Sequence, residues 1–317
     1  MRAAVTYFDG ATLREGTASL DADRILVRPG PAPAGAPLLD GIITGLFTDH
    51  HVHLQLVDPS ALTSSRLGRV IDLGADVDVM RRYKARFQND GVDVEYAGPF
   101  LTAVGGYPSD RDWAPDRAVH QVQDAADAAA VIGALAAAGV GCIKVVGNSD
   151  AGPVLDDELF RAVVREAAEH RLPVVAHAEG AGQAQRVARL GAARLAHSPF
   201  TERLSDDEIK EQAASVSWIS TMAIHGGEAY AKVVDNVRRF AAAGGELRYG
   251  SDMGNGPTPI DLRDSEVAAM REAGVDGLDL LRSLAPLDPV ASGAKLLLLA
   301  DGDPVLSRFL SADDVKV

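Results

Sequence analysis

The chain has 317 residues, 47% of them apolar and 24% charged, with a formal net charge of −14 and one cysteine, Cys142. That composition is globular, and the length suits one large α/β barrel of about 250 residues or two ordinary domains. The acid excess argues against nucleic acid or an anionic membrane as partner, since both need a basic face, and a lone cysteine excludes an internal disulfide framework and suits a reducing compartment.

From Met1 to Asp9 there is no long apolar core of the signal-peptide kind, and no apolar run approaches the roughly 20 residues of a membrane span, so a soluble cytoplasmic protein is expected. Between Val5 and Val27 two or three short β segments are broken by Asp9-Gly10 and by the turn at 21–23. Four prolines and two glycines between Pro29 and Pro37 mark a connector. Lys295 to Ala300, followed by Asp301-Gly302-Asp303-Pro304, reads as a buried strand and turn able to pair with this first lobe. The expected division is a small β-sandwich lobe of residues 1–40 and 291–317 around a body of residues 41–290.

Within the body, strand-like runs alternate with helical ones, the pattern of βα units around a parallel sheet. The strand candidates are Gly45 to His53, Arg69 to Leu73, Ala97 to Val104, Gly141 to Val146, Pro173 to His177, Arg194 to His197, Val216 to Thr221 and Glu246 to Ser251. The helical segments are Asp78 to Asn89, Ala118 to Ala138, Asp156 to His170, Gly182 to Leu190, Ser205 to Ala214, Glu228 to Ala243 and Leu262 to Ala273. Asp156-Asp157-Glu158 puts acids where a helix dipole favours them, and Gly139, Gly191 and Gly244 sit just past helices as stop signals. Eight strands closing on themselves make a TIM (β/α)8 barrel, whose chemistry lies at the carboxyl ends of the strands.

Those ends carry unusual residues. In Thr48-Asp49-His50-His51-Val52-His53-Leu54, residues two apart share a face, so His51 and His53 point one way and His50 the other, a metal half-site. Strand four carries Lys144 inside an apolar run, where a free cation is costly unless paired or chemically changed. Strands five, six and eight end in His177, His197 and Ser251-Asp252. Singly each has a plain reading: Lys144 pairs with an acid, His197 caps a turn, Asp252 caps the next helix. Jointly they converge on one rim.

This set resembles the amidohydrolase superfamily of metal-dependent hydrolases. The residues that carry the resemblance are Gly45 to His53, Ile143-Lys144-Val145, His177, His197 and Ser251-Asp252, about 200 residues in the family's order. Gly98 to Tyr107 and Val174 to Gly180 are similar to the branch of imidazolonepropionase-like enzymes and metal-dependent prolidases, whose substrates include cyclic amides, dipeptides and lactones. The resemblance implies two divalent ions, zinc first, with manganese, iron or cobalt tolerated. His51, His53 and Asp252 would hold one ion and His177 with His197 the other, bridged by a carbamate on Lys144. It further implies a metal-bridging hydroxide attacking a carbonyl, with Asp252 as general base and then acid. The expected function is hydrolysis of an amide or cyclic amide C–N bond in a small-molecule substrate. The alternative on the same site is a lactonase or ester hydrolase. A deaminase is disfavoured because its relatives carry a glutamate three residues after the strand-five histidine, where this chain has Gly180. A non-catalytic binding barrel is disfavoured because all six ligands are present.

Nearby residues sort around this set. Asp49 is expected to support its strand, Cys142 to be a buried small hydrophobe, and His120 and His170 to lie at the surface. His225, after strand seven, is the candidate for touching substrate, and Tyr107, Arg111 and Trp113 are candidates for an aromatic wall with a carboxylate-binding guanidinium. A homo-oligomer is expected only because soluble enzymes often form symmetric ones.

Overall fold

The computed structural model describes residues 2–22, 24–115, 117–291 and 293–316; Asp23, in the second expected break of the first lobe, lies outside them. Alternation sets the first element: β1 (Arg2–Phe8) buries Ala3, Val5 and Tyr7 on one face. The Asp9 carboxylate then accepts from the Ala11 and Thr12 N–H groups at 2.9 and 2.8 Å, turning the chain into β2 (Leu13–Asp21). The next two strands are β3 (Arg24–Pro29) and, after the proline connector, β4 (Leu38–Gly45).

The body follows in chain order. It begins with β5 (Phe47–Val52), β6 (Leu67–Asp72), α1 (Val77–Gln88), β7 (Asp93–Tyr96), β8 (Phe100–Ala103), β9 (Val119–Val122) and α2 (Ala125–Ala137). It continues through β10 (Ile143–Asn148), α3 (Asp157–Glu169), β11 (Val174–Glu179), α4 (Gln183–Arg189), β12 (Arg194–Leu195), α5 (Asp206–Ala213) and β13 (Ser217–Ile219). Then come α6 (Gly227–Ala242), β14 (Leu247–Arg248), α7 (Asp264–Glu272) and α8 (Gly277–Leu284). Finally β15 (Leu296–Leu299) and β16 (Arg308–Phe309) return to the first lobe, giving a six-stranded sheet in the order β16-β15-β4-β1-β2-β3.

The body is a mixed α/β structure with parallel sheets. Hydrogen bonding divides its strands between a three-stranded sheet, β5-β6-β7, and a seven-stranded one, β14-β13-β12-β11-β10-β8-β9, rather than one set of eight. The division has a local cause. The expected strand Ala97 to Val104 is interrupted at Ala97-Gly98-Pro99, where Gly98 takes a φ of +77° and proline offers no N–H, so β7 pairs with β6 and β8 with β10. At the other edge β5 meets the chain after β14: the His50 N–H donates to the Tyr249 carbonyl at 3.0 Å, the His53 N–H to the Met253 carbonyl at 2.7 Å, and Val52 bridges Met253 in parallel.

Two elements depart from expectation. Residues 119–122, expected as helix, form β9 beside β8, and the helix starts only where the Asp124 carboxylate accepts from the Ala126 and Asp127 N–H groups at 2.8 and 2.9 Å. A helix, α8, also follows α7, with Leu280, Leu281 and Leu284 buried. The amphipathic helices pack where their stripes direct them: α6 buries Val233, Val237 and Phe240, and Phe240 stacks on Trp218 of β13 at 3.8 Å between ring centroids. A separate apolar cluster takes Ile71, Leu73, Ala97, Cys142, Val175, Ala196 and Ile219 from successive strands. It lies directly beneath the site, because Cys142 is two residues before Lys144 and Val175 two before His177. Among the described residues no helix is long and apolar enough to cross a membrane.

Candidate metal centre

His51 is fully buried at the end of β5, and its Nδ1 donates to the Ala196 carbonyl at 2.7 Å. A carbonyl only accepts, so the proton sits on Nδ1 and the lone pair on Nε2. That Nε2 lies 3.2 Å from His53 Nε2 and 3.3 Å from Asp252 Oδ1, and His53 Nε2 is also 3.3 Å from Asp252 Oδ1. His50 points away as alternation requires: its Nδ1 donates to the Tyr249 carbonyl at 3.0 Å, and burial together with the Arg248 charge lowers its pKa to about 3.

Asp252 is set by a strained turn. Its φ is +53°, a backbone state that costs a non-glycine residue roughly 1 kcal/mol and persists only where neighbours enforce it. The enforcement comes from Asp49 and Arg263. Asp49 accepts from the Ser251 N–H at 3.1 Å, the Ser251 hydroxyl at 2.5 Å and the His51 N–H at 3.0 Å, tying β5 to the chain after β14. Arg263 donates to the Ser251 carbonyl at 3.1 Å and the Ala223 carbonyl at 2.9 Å. Asn255 donates to Asp252 Oδ2 at 2.8 Å, which leaves Oδ1 facing the two imidazoles.

Oδ1 of Asp252 and Nδ1 of His53 are buried without a hydrogen-bond partner, and the 3.3 Å approaches to Oδ1 lack hydrogen-bond geometry. His51, His53 and Asp252 thus present three donor atoms that lie within 4.8 Å of one another. Atoms bound about 2.0–2.2 Å from one ion stand roughly 3.0–3.5 Å apart, so this trio fits a divalent cation. Burial lowers the His51 pKa well below its ordinary value, with Lys144 adding to the effect, so the ring is neutral as a ligand must be. Burial pushes the Asp252 pKa up, but His51, His53 and His197 outweigh it and hold the carboxyl well below the carboxylate range.

The other three predicted ligands adjoin this trio. The His197 ring stands 4.7 Å from His51 and 4.8 Å from His177, so the four imidazoles form a continuous arc. His197 Nδ1 lies 2.9 Å from the Thr221 hydroxyl, and His177 Nε2 donates to Glu179 at 2.9 Å, leaving its Nδ1 as the free lone pair. Lys144 is 2% exposed on β10, and burial lowers its pKa to about 8. Gly180 occupies the position at which a deaminase-like glutamate would stand. Its φ is +102° and a Cβ there would overlap the Ser149 hydroxyl, so the position favours glycine.

All six open onto a cavity of about 450 Å3, with Leu56, Phe100, Tyr107, Pro108, Trp113, Val146 and Asn255 among its other lining residues. Of the predicted substrate contacts, Tyr107 and Trp113 line it. Arg111 lies outside the lining, 5.5 Å over the Tyr107 ring and 3.4 Å from Asp110. His225 also lies outside it, stacked on Phe200 at 4.0 Å with Nε2 buried and unpartnered, and burial lowers its pKa to about 4. Phe100 and Asn255 were not anticipated. Asn255 could have been found three residues past Asp252 in Gly254-Asn255-Gly256, where a short amide reaches back to the carboxylate. Cys142 is buried with its thiol pushed up to about 12, while His120 and His170 are half-exposed beside Asp127 and Glu166.

No protein-family profile matches the chain, and no curated protein matches its sequence. Solved structures do match. A Xaa-Pro dipeptidase with methionine bound in its active site superposes with a TM-score of 0.73 at 16% identity, over 96% of this chain and 94% of that one. Phenylurea hydrolase B gives 0.70 at 17%, over 96% and 93%, and bottromycin amidohydrolase 0.64 at 18%, over 99% and 87%. At these identities the shared property is the fold, and it extends over nearly the whole chain.

Proposed function

We propose that this chain, which shares its fold with solved amidohydrolases, is itself a metal-dependent amidohydrolase of that superfamily and cleaves the C–N bond of an amide or cyclic amide. The observation that carries the reading is the convergence of His51, His53, Lys144, His177, His197 and Asp252, from five different stretches of the chain, on one cavity. The dipeptidase, phenylurea hydrolase and amidohydrolase among the structural relatives favour an amide over a lactone. The two parallel sheets, bridged where Val52 of β5 meets Met253 after β14, are read as one closed (β/α)8 barrel of residues 41–290, braced by a lobe of residues 1–40 and 291–317 that shares β4 with it.

In this reading His51, His53 and Asp252 hold one divalent ion, zinc or a similar metal, and His177 with His197 a second. Such ions supply Lewis acidity that polarises a carbonyl and acidifies water. Lys144, whose pKa burial lowers to about 8, would in its amine form add to carbon dioxide and release a proton, the resulting N-carboxylate supplying an anionic oxygen donor beside these residues. Asp252 accepts a proton from water as the oxygen bonds to the carbonyl carbon, and returns it to the nitrogen as the C–N bond breaks, giving a carboxylic acid and an amine. Asn255 holds Oδ2 and so fixes the carboxylate with Oδ1 facing His51 and His53.

Elemental analysis of protein expressed with added zinc or manganese is expected to give two ions per chain; fewer than one overturns the two-ion site. A screen of N-acyl amino acids, dipeptides, cyclic imides and lactones is expected to return amide turnover, and activity confined to lactones overturns the amide assignment. Lys144→Ala is expected to lose at least 100-fold in kcat/KM, and full retained activity rules out the carbamate.

A further inference from the structure

The cavity is uneven in its chemistry. Its floor is the polar set just described, and its wall is aromatic. Phe100 sits 5.6 Å from the His53 ring and 6.2 Å from Trp113, while Tyr107 sits 6.1 Å from Trp113 and 6.0 Å from His177. The wall therefore begins at one end of the imidazole arc and returns to the other. A planar group attached beside a bond held over that arc meets ring faces and edges at the separations that aromatic pairs prefer.

Charge on the wall points the same way. Among the described residues Lys144 is the single cation in the cavity lining, and it lies in the floor beside His51 and Asp252. The loop that supplies Tyr107 and Trp113 carries Asp110 and Asp112 on either side of Arg111, and the Arg111 guanidinium is already engaged by the Tyr107 ring and Asp110. Glu179 stands close enough to Tyr107 to add, after burial, to the upward shift of its hydroxyl pKa. A carboxylate held against this wall would lose hydration among aromatic rings and meet no cationic side chain in the wall's own lining among the described residues, a loss that burial makes expensive.

We propose that the cavity selects uncharged amides bearing an aromatic group next to the scissile bond, and discriminates against substrates with a free carboxylate. This rests on the amide-hydrolase reading and narrows it, because a dipeptide always ends in a carboxylate.

The test compares matched pairs on the zinc- or manganese-loaded enzyme: N-benzoylglycinamide against N-benzoylglycine, and acetanilide against 4-acetamidobenzoate. The neutral member is expected to have at least a tenfold higher kcat/KM in each pair. Binding gives an independent readout, because Trp113 lies in the wall while Trp218 is buried on Phe240. The neutral member is expected to change the Trp113 fluorescence at a concentration at least five times lower than its acid, and Trp113→Leu to abolish the change. Equal or better turnover or binding of the carboxylates overturns the proposal. If no pair is hydrolysed while the neutral members still bind more tightly, the hydrolase reading fails and the selectivity stands.

Discussion

Asp49 is wholly buried and accepts three hydrogen bonds that join the strand bearing His51 to the turn bearing Asp252. Removing it strands two buried N–H groups and a hydroxyl, each worth about 1–3 kcal/mol. Asp49→Ala is therefore expected to lower unfolding stability by about 3 kcal/mol or more, read as a drop in the denaturant midpoint without a change in slope, and to weaken metal retention. A second buried carboxylate makes a pH prediction. Glu266 accepts from the Met222 and Ala223 N–H groups at 2.9 and 2.7 Å, and burial raises its pKa despite those bonds, the Ser220 hydroxyl and Arg263. A raised acid keeps its proton longer when folded than when unfolded. Below the ordinary glutamate value both states are protonated; as pH rises through it the unfolded chain ionises first, so this group's contribution falls until the folded pKa is passed and is constant above it. Glu266→Gln should flatten that decline in a pH series of denaturation curves, at the cost of one hydrogen bond to the loop that carries Thr221. Cys142, buried and with its thiol pushed up to about 12, is expected to resist iodoacetamide at pH 8 until denaturant is added.

At the scale of elements, the turns are stricter than the helices. Gly180→Ala is expected to destabilise by about 1–3 kcal/mol and to turn the Ser149 side chain aside, since the φ of +102° disfavours any side chain and a methyl group would overlap the Ser149 hydroxyl. Ser205→Ala removes one half of the reciprocal cap between Ser205 and Glu208 at the start of α5 and should cost only about 1 kcal/mol. Helix starts were readable because their signals are local: Asp156 and Ser205 cap α3 and α5 within a residue or two of where acids and hydroxyls precede an apolar stripe. The failures were also local in origin. The alanines after Asp124 extend a helical pattern backwards over Val119 to Val122, and only pairing with β8, a non-local contact, makes that segment a strand. The break at Gly98-Pro99 was hidden because the apolar run continues through it.

For the molecule as a whole, the six proposed ligands were legible since each ends or interrupts a short apolar run, and the structure brings them to one cavity. The wall was less so. Phe100 resembles any core aromatic in sequence, and Arg111, a plausible carboxylate clamp by type, is drawn onto Tyr107 and Asp110 instead. Ions that bind only the folded chain add stability by mass action, about 4 kcal/mol at a thousand times the dissociation constant. Chelation is thus expected to lower the melting temperature by several degrees, and readdition of zinc to restore it.

β15 pairs antiparallel with β4 from Leu296↔Gly45 to Leu299↔Ile42, and β4 leads within two residues into β5 and its histidines. β4, which leads into the strand that seats the proposed first ligands, is thus braced by residues synthesised about 250 positions after it. Until Leu296 to Leu299 have been synthesised and have emerged, that edge of β4 is an unpaired template with apolar neighbours, open to any passing strand. The vulnerable form of this protein is the nascent chain rather than the finished one, and it is during translation that a chaperone has most to protect.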